Sequence, residues 1–525
     1  MNDQTSEAME VVMTESDSFR NNSVKVSALR ANYLKSRLFI DMTTSVSLLG
    51  GSPVGITRVE TKLVASLLEA THLNPFPVVL ADDGSIRALE TSTARKILKL
   101  WEEQREIKLT KRGIAKSEDI PVIAESRHRD SLESLGKIEK RERKKFFLFV
   151  LRRIFRQPRK VLTGKLTLEM IASQFFGRSR DETKGIPLPF GEAHSLLRQE
   201  IVESAELLVQ PTSRDFLWTA GLYSHFSRPR ALLELKSKFS FQIGCLLYDA
   251  IRIIHSEYNP KELNRDVHLA YTRDLLEAAD LPLAISSWTK DTMVELARAE
   301  GFTHNPITVL QLGVDVSHPT LTVDQEEALR NALTQRPFAL CVGTIEPRKN
   351  INHLLDVWSK LAEVGIPSLD LVLVGKQGYG AELDGQRLQQ HPLFGKHVFW
   401  LDSCPDKALT SLYKMSTLVV CPSISEGWGL PVSEALLHGR PVVASNTSAH
   451  PEAGFGAAIL LPVSDRQIWV DTIKSIAASP DGFKPDLSQV QVPSWEIVGK
   501  RLVEILEVHT NRDRANEGFH AHSSN

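Results

Sequence analysis

Two glutamates eight positions apart, Glu426 and Glu434, are the residues whose type and spacing most clearly suggest chemistry in this sequence. The run Gly427-Trp-Gly-Leu-Pro431 lies between them. Glycines let the backbone approach a ligand closely, free amides at a helix start bind anions, and a carboxylate accepts hydrogen bonds from neighbouring hydroxyls. The residues therefore suit a sugar or a ribose, although a random pair of this kind more often complements a helix dipole or is solvated.

The pattern around these glutamates predicts a strand, a loop, a helix and a second strand. Leu418–Cys421 and Val442–Ala444 are short, β-branched apolar runs that are typical of buried strands. Pro431 suits the first turn of a helix, and Gly439 suits its end. In a βαβ unit of this kind ligands bind at the carboxyl ends of the strands, so the loop Pro422–Leu430 should face a cleft.

A second loop with anion-binding chemistry follows the apolar run Phe338–Val342. It reads Gly343-Thr-Ile-Glu-Pro-Arg-Lys-Asn350 and precedes a helical pattern over Ile351–Leu361. Lysine supplies a point charge and arginine supplies bidentate donors, so the pair suits a diphosphate. A single Arg-Lys pair is more often a solvated turn, and the residues alone leave both interpretations open.

The first half of the chain repeats the sequence of strand, glycine-rich loop and helix. Leu38–Thr43 predicts a strand, and Ile56–Leu68 predicts a helix. The loop Gly50–Gly55 between them binds phosphate or acceptor in one interpretation and is only a tight turn in the other. Further short apolar strands are predicted at 205–209, 241–249, 284–287 and 308–312. The start of the chain is therefore expected to be Rossmann-like.

Residues 98–190 do not follow this pattern and are predicted to be an insertion. Between Lys137 and Lys165 there are twelve Lys or Arg and two Glu, a local charge of about +10 in a chain of net charge −1. The basic apolar segment 141–156 can lie on an anionic membrane surface, or it can be a basic helix packed on its own domain. Nucleic-acid binding is disfavoured, because no recognition motif accompanies the charge.

The composition is that of a globular protein, with 42% hydrophobic and 24% charged residues. The four cysteines form no C-x-x-C pair, which argues against a zinc or disulfide framework and favours a reducing, cytoplasmic compartment. Residues 1–32 are expected to be a disordered leader and residues 509–525 a disordered tail. No run approaches the roughly 20 apolar residues of a transmembrane helix.

The residues from Ser425 to Ser445 closely resemble the E-x7-E region of retaining GT-B glycosyltransferases of family four. The resemblance implies that Glu426 holds the donor sugar and Glu434 the nucleotide ribose. The Glu-Pro-Arg-Lys-Asn form at 346–350 lies in register with the same family, which implies that Lys349 and Arg348 stabilise the charge of the departing diphosphate. Further donor-binding positions implied by the resemblance are Gly427, Trp428, Gly429, Leu430, Gly343, Thr344, Gly375 and Asp402.

Two motifs of the first half extend the resemblance. The segment 40–59 is similar to the amino-terminal signature of enzymes that build bacterial surface polysaccharides. Gly55 and Arg58 are thereby candidates for the loop that closes on donor phosphate and acceptor. Where the family has a His-Asp pair near the reacting sugar, this chain has Tyr248 and Asp249. Asp249 is either the catalytic, sugar-facing carboxylate or a helix cap.

The resemblance implies the GT-B fold, an α/β architecture of two Rossmann-like domains that face a cleft. The first domain would span 33–318 and carry the basic helical insertion, the second would span 336–492, and a helix at 493–508 would pack back on the first. The implied reaction is retaining transfer of a sugar, as in mannosyltransferase-like enzymes, from a nucleoside diphosphate sugar to a glycan or glycolipid hydroxyl. It needs no metal and no other cofactor. The enzyme would be cytoplasmic, and if the basic segment 141–156 binds an anionic surface it would lie at the inner face of the cytoplasmic membrane.

Two other classes of function stay open. A non-catalytic nucleotide-sugar-binding or scaffold protein could keep the same fold, although the joint presence of Glu426, Glu434 and Lys349 argues against it. A nicotinamide-dependent dehydrogenase is poorly supported, because no strand is followed by G-x-G-x-x-G with an acid about 20 residues later.

Overall fold

A computed structural model of the chain describes residues 36–47, 55–81, 85–104, 110–111, 208–221, 228–258, 265–315, 321–363, 369–378, 381–488 and 490–522. The predicted leader, the basic segment 141–156 and most of the loop Gly50–Gly55 lie outside these ranges. What the sequence predicts for them stays a prediction.

The strands of the described residues form two mainly parallel sheets. In chain order they are β1 (Leu38–Asp41), β2 (Pro75–Leu80), β3 (Ile86–Ala88), β4 (Thr110–Lys111), β5 (Leu208–Val209), β6 (Phe216–Thr219), β7 (Gln242–Leu247), β8 (Leu281–Ala284), β9 (Thr308–Val309), β10 (Phe338–Val342), β11 (Asp370–Val374), β12 (Val398–Ser403), β13 (Leu418–Cys421), β14 (Val442–Ser445) and β15 (Ile459–Leu461).

Helices cover the faces of both sheets. In chain order they are α1 (Thr43–Ser47), α2 (Gly55–Glu69), α3 (Thr91–Gln104), α4 (Arg228–Phe239), α5 (Ile251–Ile254), α6 (Arg265–Ala278), α7 (Ser287–Glu300), α8 (Val323–Leu333), α9 (Ile351–Glu363), α10 (Glu382–Gln390), α11 (Asp406–Met415), α12 (Leu430–Leu437), α13 (His450–Ala453), α14 (Arg466–Ala478) and α15 (Trp495–His522). Within the described ranges, none of them combines the length and apolar character needed to cross a bilayer.

The first sheet has the strand order β5-β3-β2-β1-β6-β7-β8-β9, and the second has the order β15-β14-β13-β10-β11-β12-β4. Strands β1 and β10 lie inside their sheets, with parallel neighbours on both sides. Their short apolar runs are buried, as expected for parallel strands covered on both faces by helices. The predicted α/β architecture of two Rossmann-like domains is therefore confirmed.

The carboxyl ends of the two sheets approach each other closely. A Cβ atom added at Gly427, which follows β13, would lie only 2.3 Å from the carbonyl oxygen of Tyr248, which follows β7. On the same side of the cleft, Glu452 of α13 accepts hydrogen bonds from the amides of Ser287 and Trp288 at the start of α7, at 2.7 and 2.8 Å. The loops that end the strands of the two domains thus meet across a closed cleft.

Two stretches of chain cross between the domains side by side. The amide of Val314 donates to the carbonyl of Pro493 at 2.9 Å. Gly313 packs directly on the chain at Trp495, because an added Cβ at position 313 would lie 2.6 Å from the Trp495 nitrogen. After this crossing α15 packs on α2, with Gly499 so close to Ser66 that a Cβ there would lie 2.0 Å from the hydroxyl oxygen.

The structure differs from the predicted boundaries at three places. Residues 98–104, assigned to the insertion, continue α3, because Trp101 is buried and its ring nitrogen donates to the Ser45 carbonyl at 3.0 Å. The predicted tail from 509 continues α15 to His522, since no proline interrupts this stretch. Strand β4, also assigned to a first-domain insertion, pairs antiparallel with β12 of the second sheet.

Candidate active site

Glu426 lies in the loop after β13 and contacts two cations from the loop after β10. Its Oε1 is 2.5 Å from Lys349 Nζ, and its Oε2 accepts a hydrogen bond from Arg348 Nη1 at 2.9 Å. Neighbouring parallel strands β10 and β13 bring these loops together, although they are about 80 residues apart in the chain. The three residues that the sequence singled out for sugar and diphosphate therefore form one cluster.

The charges of this cluster stabilise one another. Burial alone would raise the pKa of Glu426, but Lys349 and Arg348 outweigh it and hold that pKa well below its ordinary value. Burial opposes the charge of Arg348 too, and Glu426 and Glu346 raise its pKa above the ordinary value. All three side chains are at most about one quarter exposed. The site is thus a fixed arrangement of full charges in which an anion would find two cations.

The predicted glycines shape the floor of this cluster. Gly343 and Gly375 end β10 and β11 with φ values of 152° and 150°, a region that L side chains rarely adopt. A Cβ at Gly375 would lie 2.0 Å from the Gly343 carbonyl oxygen, and one at Gly343 would lie 3.2 Å from the Lys349 side chain. These glycines therefore let neighbouring strand ends and the lysine approach one another.

Other predicted donor residues have mixed placements. Gly429, with φ of 102°, starts α12 and lies against the His450 ring. Trp428 is buried and packs edge-on to Phe455, so its ring serves the core of the domain. Thr344 lies beside Gly378, Asp402 lies within β12, and Leu430 is partly buried at the start of α12.

Glu434 has different partners from Glu426. On α12, its Oε2 accepts a hydrogen bond from the Tyr413 hydroxyl at 2.8 Å. Its Oε1 accepts one at 3.0 Å from Arg58, which belongs to α2 of the other domain. The second nitrogen of Arg58 donates to Asp406 at 3.1 Å. Arg58, which was predicted to serve a phosphate and acceptor loop, thus contacts the glutamate that was predicted to hold ribose. Gly55 is exposed at the start of the same helix.

Asp249 lies opposite the Glu426 loop. Burial raises its pKa, and Arg348 across the cleft acts against this shift. Its Oδ1 accepts a hydrogen bond at 3.0 Å from the amide of Ile251, the first residue of α5. The hydroxyl of Tyr248, which stands where the resembling family has histidine, donates to the Ala220 carbonyl at 2.5 Å. Both residues therefore have structural partners in the first domain.

The carboxyl edge of the first sheet holds a second acidic pair. Glu60 is completely buried, and its Oε1 accepts hydrogen bonds from the amide and hydroxyl of Ser45 at 2.9 and 2.7 Å. Burial, together with nearby Asp41, raises the pKa of Glu60 to about 8. Gly221 packs against this group, since an added Cβ would lie 1.6 Å from Glu60 Oε2. This carboxyl group is therefore protonated at neutral pH.

Sequence reasoning did not identify several residues around the cleft. His450 is buried beside Gly429, and its Nδ1 lies 2.9 Å from the Ser445 hydroxyl. Glu452 contacts the start of α7, and Tyr413 contacts Glu434. The available signal was position, because Ala449-His450-Pro-Glu452 comes soon after β14, whose carboxyl end borders the cleft.

Comparisons with known proteins find similarity to glycosyltransferases. Residues 324–480 match the family model described as glycosyl transferases group 1. The chain is 30% identical over 206 residues to the serotype-specific mannosyltransferase WbdA of Escherichia coli, covering 38% of this chain and 25% of that protein. It is 29% identical over 253 residues to the O-antigen chain mannosyltransferase B of Escherichia coli, covering 46% of this chain and 63% of that protein.

The match thus spans about a quarter of the length of WbdA and somewhat under two thirds of the length of the second relative. Among solved structures, the sucrose-phosphate synthase of Thermosynechococcus elongatus aligns with a TM-score of 0.47 at 18% identity, over 62% of this chain and 82% of that one. Residues 324–480 are thus similar to the glycosyl transferases group 1.

Proposed function

We propose that the protein is a retaining glycosyltransferase that moves a sugar from a nucleoside diphosphate sugar to a hydroxyl of a growing glycan. The observation that carries the proposal is the cluster of Glu426, Arg348 and Lys349 at the carboxyl edge of the second sheet. It combines an acceptor for sugar hydroxyls with two cations for a diphosphate, and it faces Tyr248 and Asp249 of the other domain.

In this proposal the departing diphosphate binds beside Arg348 and Lys349. A lysine has three donors and an arginine five, so both can hold Glu426 and a phosphate oxygen together. The acceptor oxygen forms its bond to the anomeric carbon on the face from which the diphosphate oxygen leaves, and that oxygen takes the acceptor proton. The cations stabilise the charge that develops on the leaving group, so the step requires neither a dedicated base nor a metal.

Glu434 is assigned to the ribose and the glycines after β10 and β11 to the diphosphate and base side of the donor. For the sugar we propose mannose, because several of the relatives that match this chain are named mannosyltransferases. Since the second relative is named for the O-antigen chain, a polysaccharide is the proposed class of acceptor.

A lipid-linked acceptor would place the enzyme on the inner face of the cytoplasmic membrane through the basic segment 141–156. Its charge favours an anionic surface by about 1 kcal/mol per basic residue. Co-sedimentation with anionic vesicles at low and high salt tests this part. Protein that stays in the supernatant at low salt would refute membrane attachment without affecting the proposed chemistry.

The test of the function is direct turnover. Purified protein is incubated with GDP-mannose and, in parallel, UDP-glucose and UDP-N-acetylglucosamine, with mannosyl oligosaccharides as acceptors. We expect release of nucleoside diphosphate together with a product whose anomeric configuration, read by NMR, equals that of the donor. Glu426→Gln should abolish transfer with little loss of diphosphate binding, whereas Glu363→Gln, at an exposed position on α9, is the matched control.

The alternative is a protein that binds nucleotide sugars without catalysis. It would show saturable binding of a donor with no transfer to any acceptor, in the wild type as in Glu426→Gln. An inverted product would refute retention and keep the transferase assignment.

A further inference from the structure

Arg58 is a first-domain side chain that contacts two carboxylates of the second domain. Its Nη1 lies 3.0 Å from Glu434 Oε1, and its Nη2 lies 3.1 Å from Asp406 Oδ1. The three side chains are 23%, 14% and 12% exposed, so these are partly buried, charge-assisted hydrogen bonds. Because the cation and the carboxylates belong to different domains, the contact exists only while the domains are together.

The other oxygen of Glu434 is held within its own domain. The Tyr413 hydroxyl donates to Oε2 at 2.8 Å, and the Tyr413 ring is buried and stacks on His438 with centroids 5.1 Å apart. Glu434 is thus fixed from two sides, by a rigid tyrosine and by Arg58. Each carboxylate oxygen has two lone pairs, so one on each oxygen is available for the neighbouring hydroxyls of a ribose.

A small, mainly polar pocket borders these contacts. Arg58 and Glu434 line it together with Leu430 at the start of α12. Lys62 and Asp315, which form an ion pair at 3.1 Å, also belong to its lining. Glu434 therefore lies at a polar pocket that residues of both domains form.

We propose that Arg58 is a positioning residue that holds Glu434 for the donor ribose, so that ribose recognition is complete only when the two domains close. The inference rests on the proposed function, in which Glu434 contacts the ribose. It assigns Arg58 to the nucleoside end of the donor, where it acts through Glu434. Without Arg58, two carboxylates, Glu434 and Asp406, would lose their shared cation, and Glu434 would keep only the Tyr413 contact.

The inference makes a specific prediction about ribose selectivity. Isothermal titration compares GDP with 2′-deoxy-GDP, or UDP with 2′-deoxy-UDP if UDP binds more tightly. Wild-type protein should prefer the ribonucleotide about tenfold or more, the effect expected for a lost hydrogen bond to a charged group. Arg58→Ala should weaken ribonucleotide binding and reduce the preference to within about twofold, with little change for the deoxynucleotide. Arg58→Lys should keep part of the preference, since one ammonium replaces a fork that reaches two carboxylates.

Two further variants separate positioning from folding and from closure in general. Tyr413→Phe removes the other contact to Glu434 while keeping the ring, and it should also lower the ribose preference. Glu452→Gln weakens the domain contact on the α7 side, which does not involve Glu434, and it should leave the ribose preference unchanged.

The outcomes are distinguishable. A wild-type preference that survives in Arg58→Ala would refute the inference, as would tighter ribonucleotide binding by that variant, which would make Arg58 a competitor of the ribose. Loss of the preference in Glu452→Gln would also refute it, because closure alone would then explain selectivity. Failure of the proposed function would appear differently, as wild-type protein that binds neither diphosphate.

Discussion

The carboxyl edges of the two sheets carry buried glutamates in opposite states. In the second domain Glu426 lies against Arg348 and Lys349, and its pKa is held below the ordinary value. In the first domain Glu60 is held by the amide and hydroxyl of Ser45, and burial raises its pKa to about 8. Topologically similar edges of a Rossmann-like domain can therefore be charged or neutral, depending on whether a neighbouring loop supplies cations.

Because of this difference, we expect the two domains to have different roles in the cleft. The second domain concentrates full charges where the proposed leaving group becomes more anionic, which is the arrangement that electrostatic stabilisation requires. The first domain holds Glu60 in its protonated form, and the neighbouring Asp41 accepts hydrogen bonds from Thr43 and Thr219.

The largest expected effect comes from removing a cation from the charged edge. Lys349→Ala should weaken nucleoside diphosphate binding by about 2–5 kcal/mol, because Glu426 loses a partner in a partly buried cluster and the phosphate loses a contact. Binding of the nucleoside alone should change little. Calorimetric titration of both ligands measures the difference, with Lys360→Ala on α9 as the control. Equal losses for both ligands would show that Lys349 acts through folding.

Glu60, at the carboxyl edge of the first sheet, should make the free energy of unfolding depend on pH in the direction opposite to that of Glu426. The pKa of Glu60 rises from 4.5 in the unfolded chain to about 8 in the folded one, so between these values only the unfolded state loses the proton. Stability should therefore fall as pH rises from 4.5 to 8, by a few kcal/mol at most, and level off above. Glu60→Gln removes this slope. Calorimetric unfolding of both proteins from pH 5 to 9 should show a difference in Tm that grows with pH.

Glu426 supplies the contrast, because it should add no slope between pH 5 and 9. Its pKa is depressed in the folded state, so its stabilisation is present above the unfolded value of 4.5 and is lost as pH falls below it. A Glu60→Gln protein whose Tm runs parallel to that of the wild type across pH 5–9 would mean that Glu60 is ionised in the folded protein.

The smallest expected effect concerns the close packing of Gly221 against Glu60. Gly221→Ala places a methyl group against Glu60 and Thr44 and should lower the free energy of unfolding by about 1–3 kcal/mol. Gly482→Ala is the control, since its nearest neighbour would be an ordinary 3.6 Å away. In a Glu60→Ala background the cost of Gly221→Ala should shrink, which a double-mutant cycle of thermal unfolding detects. Additive effects would contradict the contact.

Much of this site could be predicted from sequence because it depends on local pattern. The runs at β13 and β14 have clear β-branched composition, and parallel neighbours align their carboxyl ends, so Glu426 and Lys349 had to converge. The end of α3 was missed because charged residues on its exposed face conceal the apolar spacing of Ala94, Ile97 and Trp101.

Contacts that depend on the relative placement of the domains could not be predicted in this way. Arg58 and Glu434 are 376 residues apart and lie on helices of different domains, and no local pattern encodes their pairing. The state of Glu60 was equally hidden, because the pKa of a carboxyl group follows from its burial and from the charges around it, which appear only in the folded structure.

The paired domain crossings have a mechanical consequence. Val314 is hydrogen-bonded to Pro493, and Gly313 packs on the backbone at Trp495, so the described parts of the two connections are fixed to each other. A single flexible connection would let one lobe swivel in any direction relative to the other. Two connections that are joined side by side restrict this freedom, so we expect the cleft to open and reclose through a narrow range of rotations that return Arg58 to Glu434.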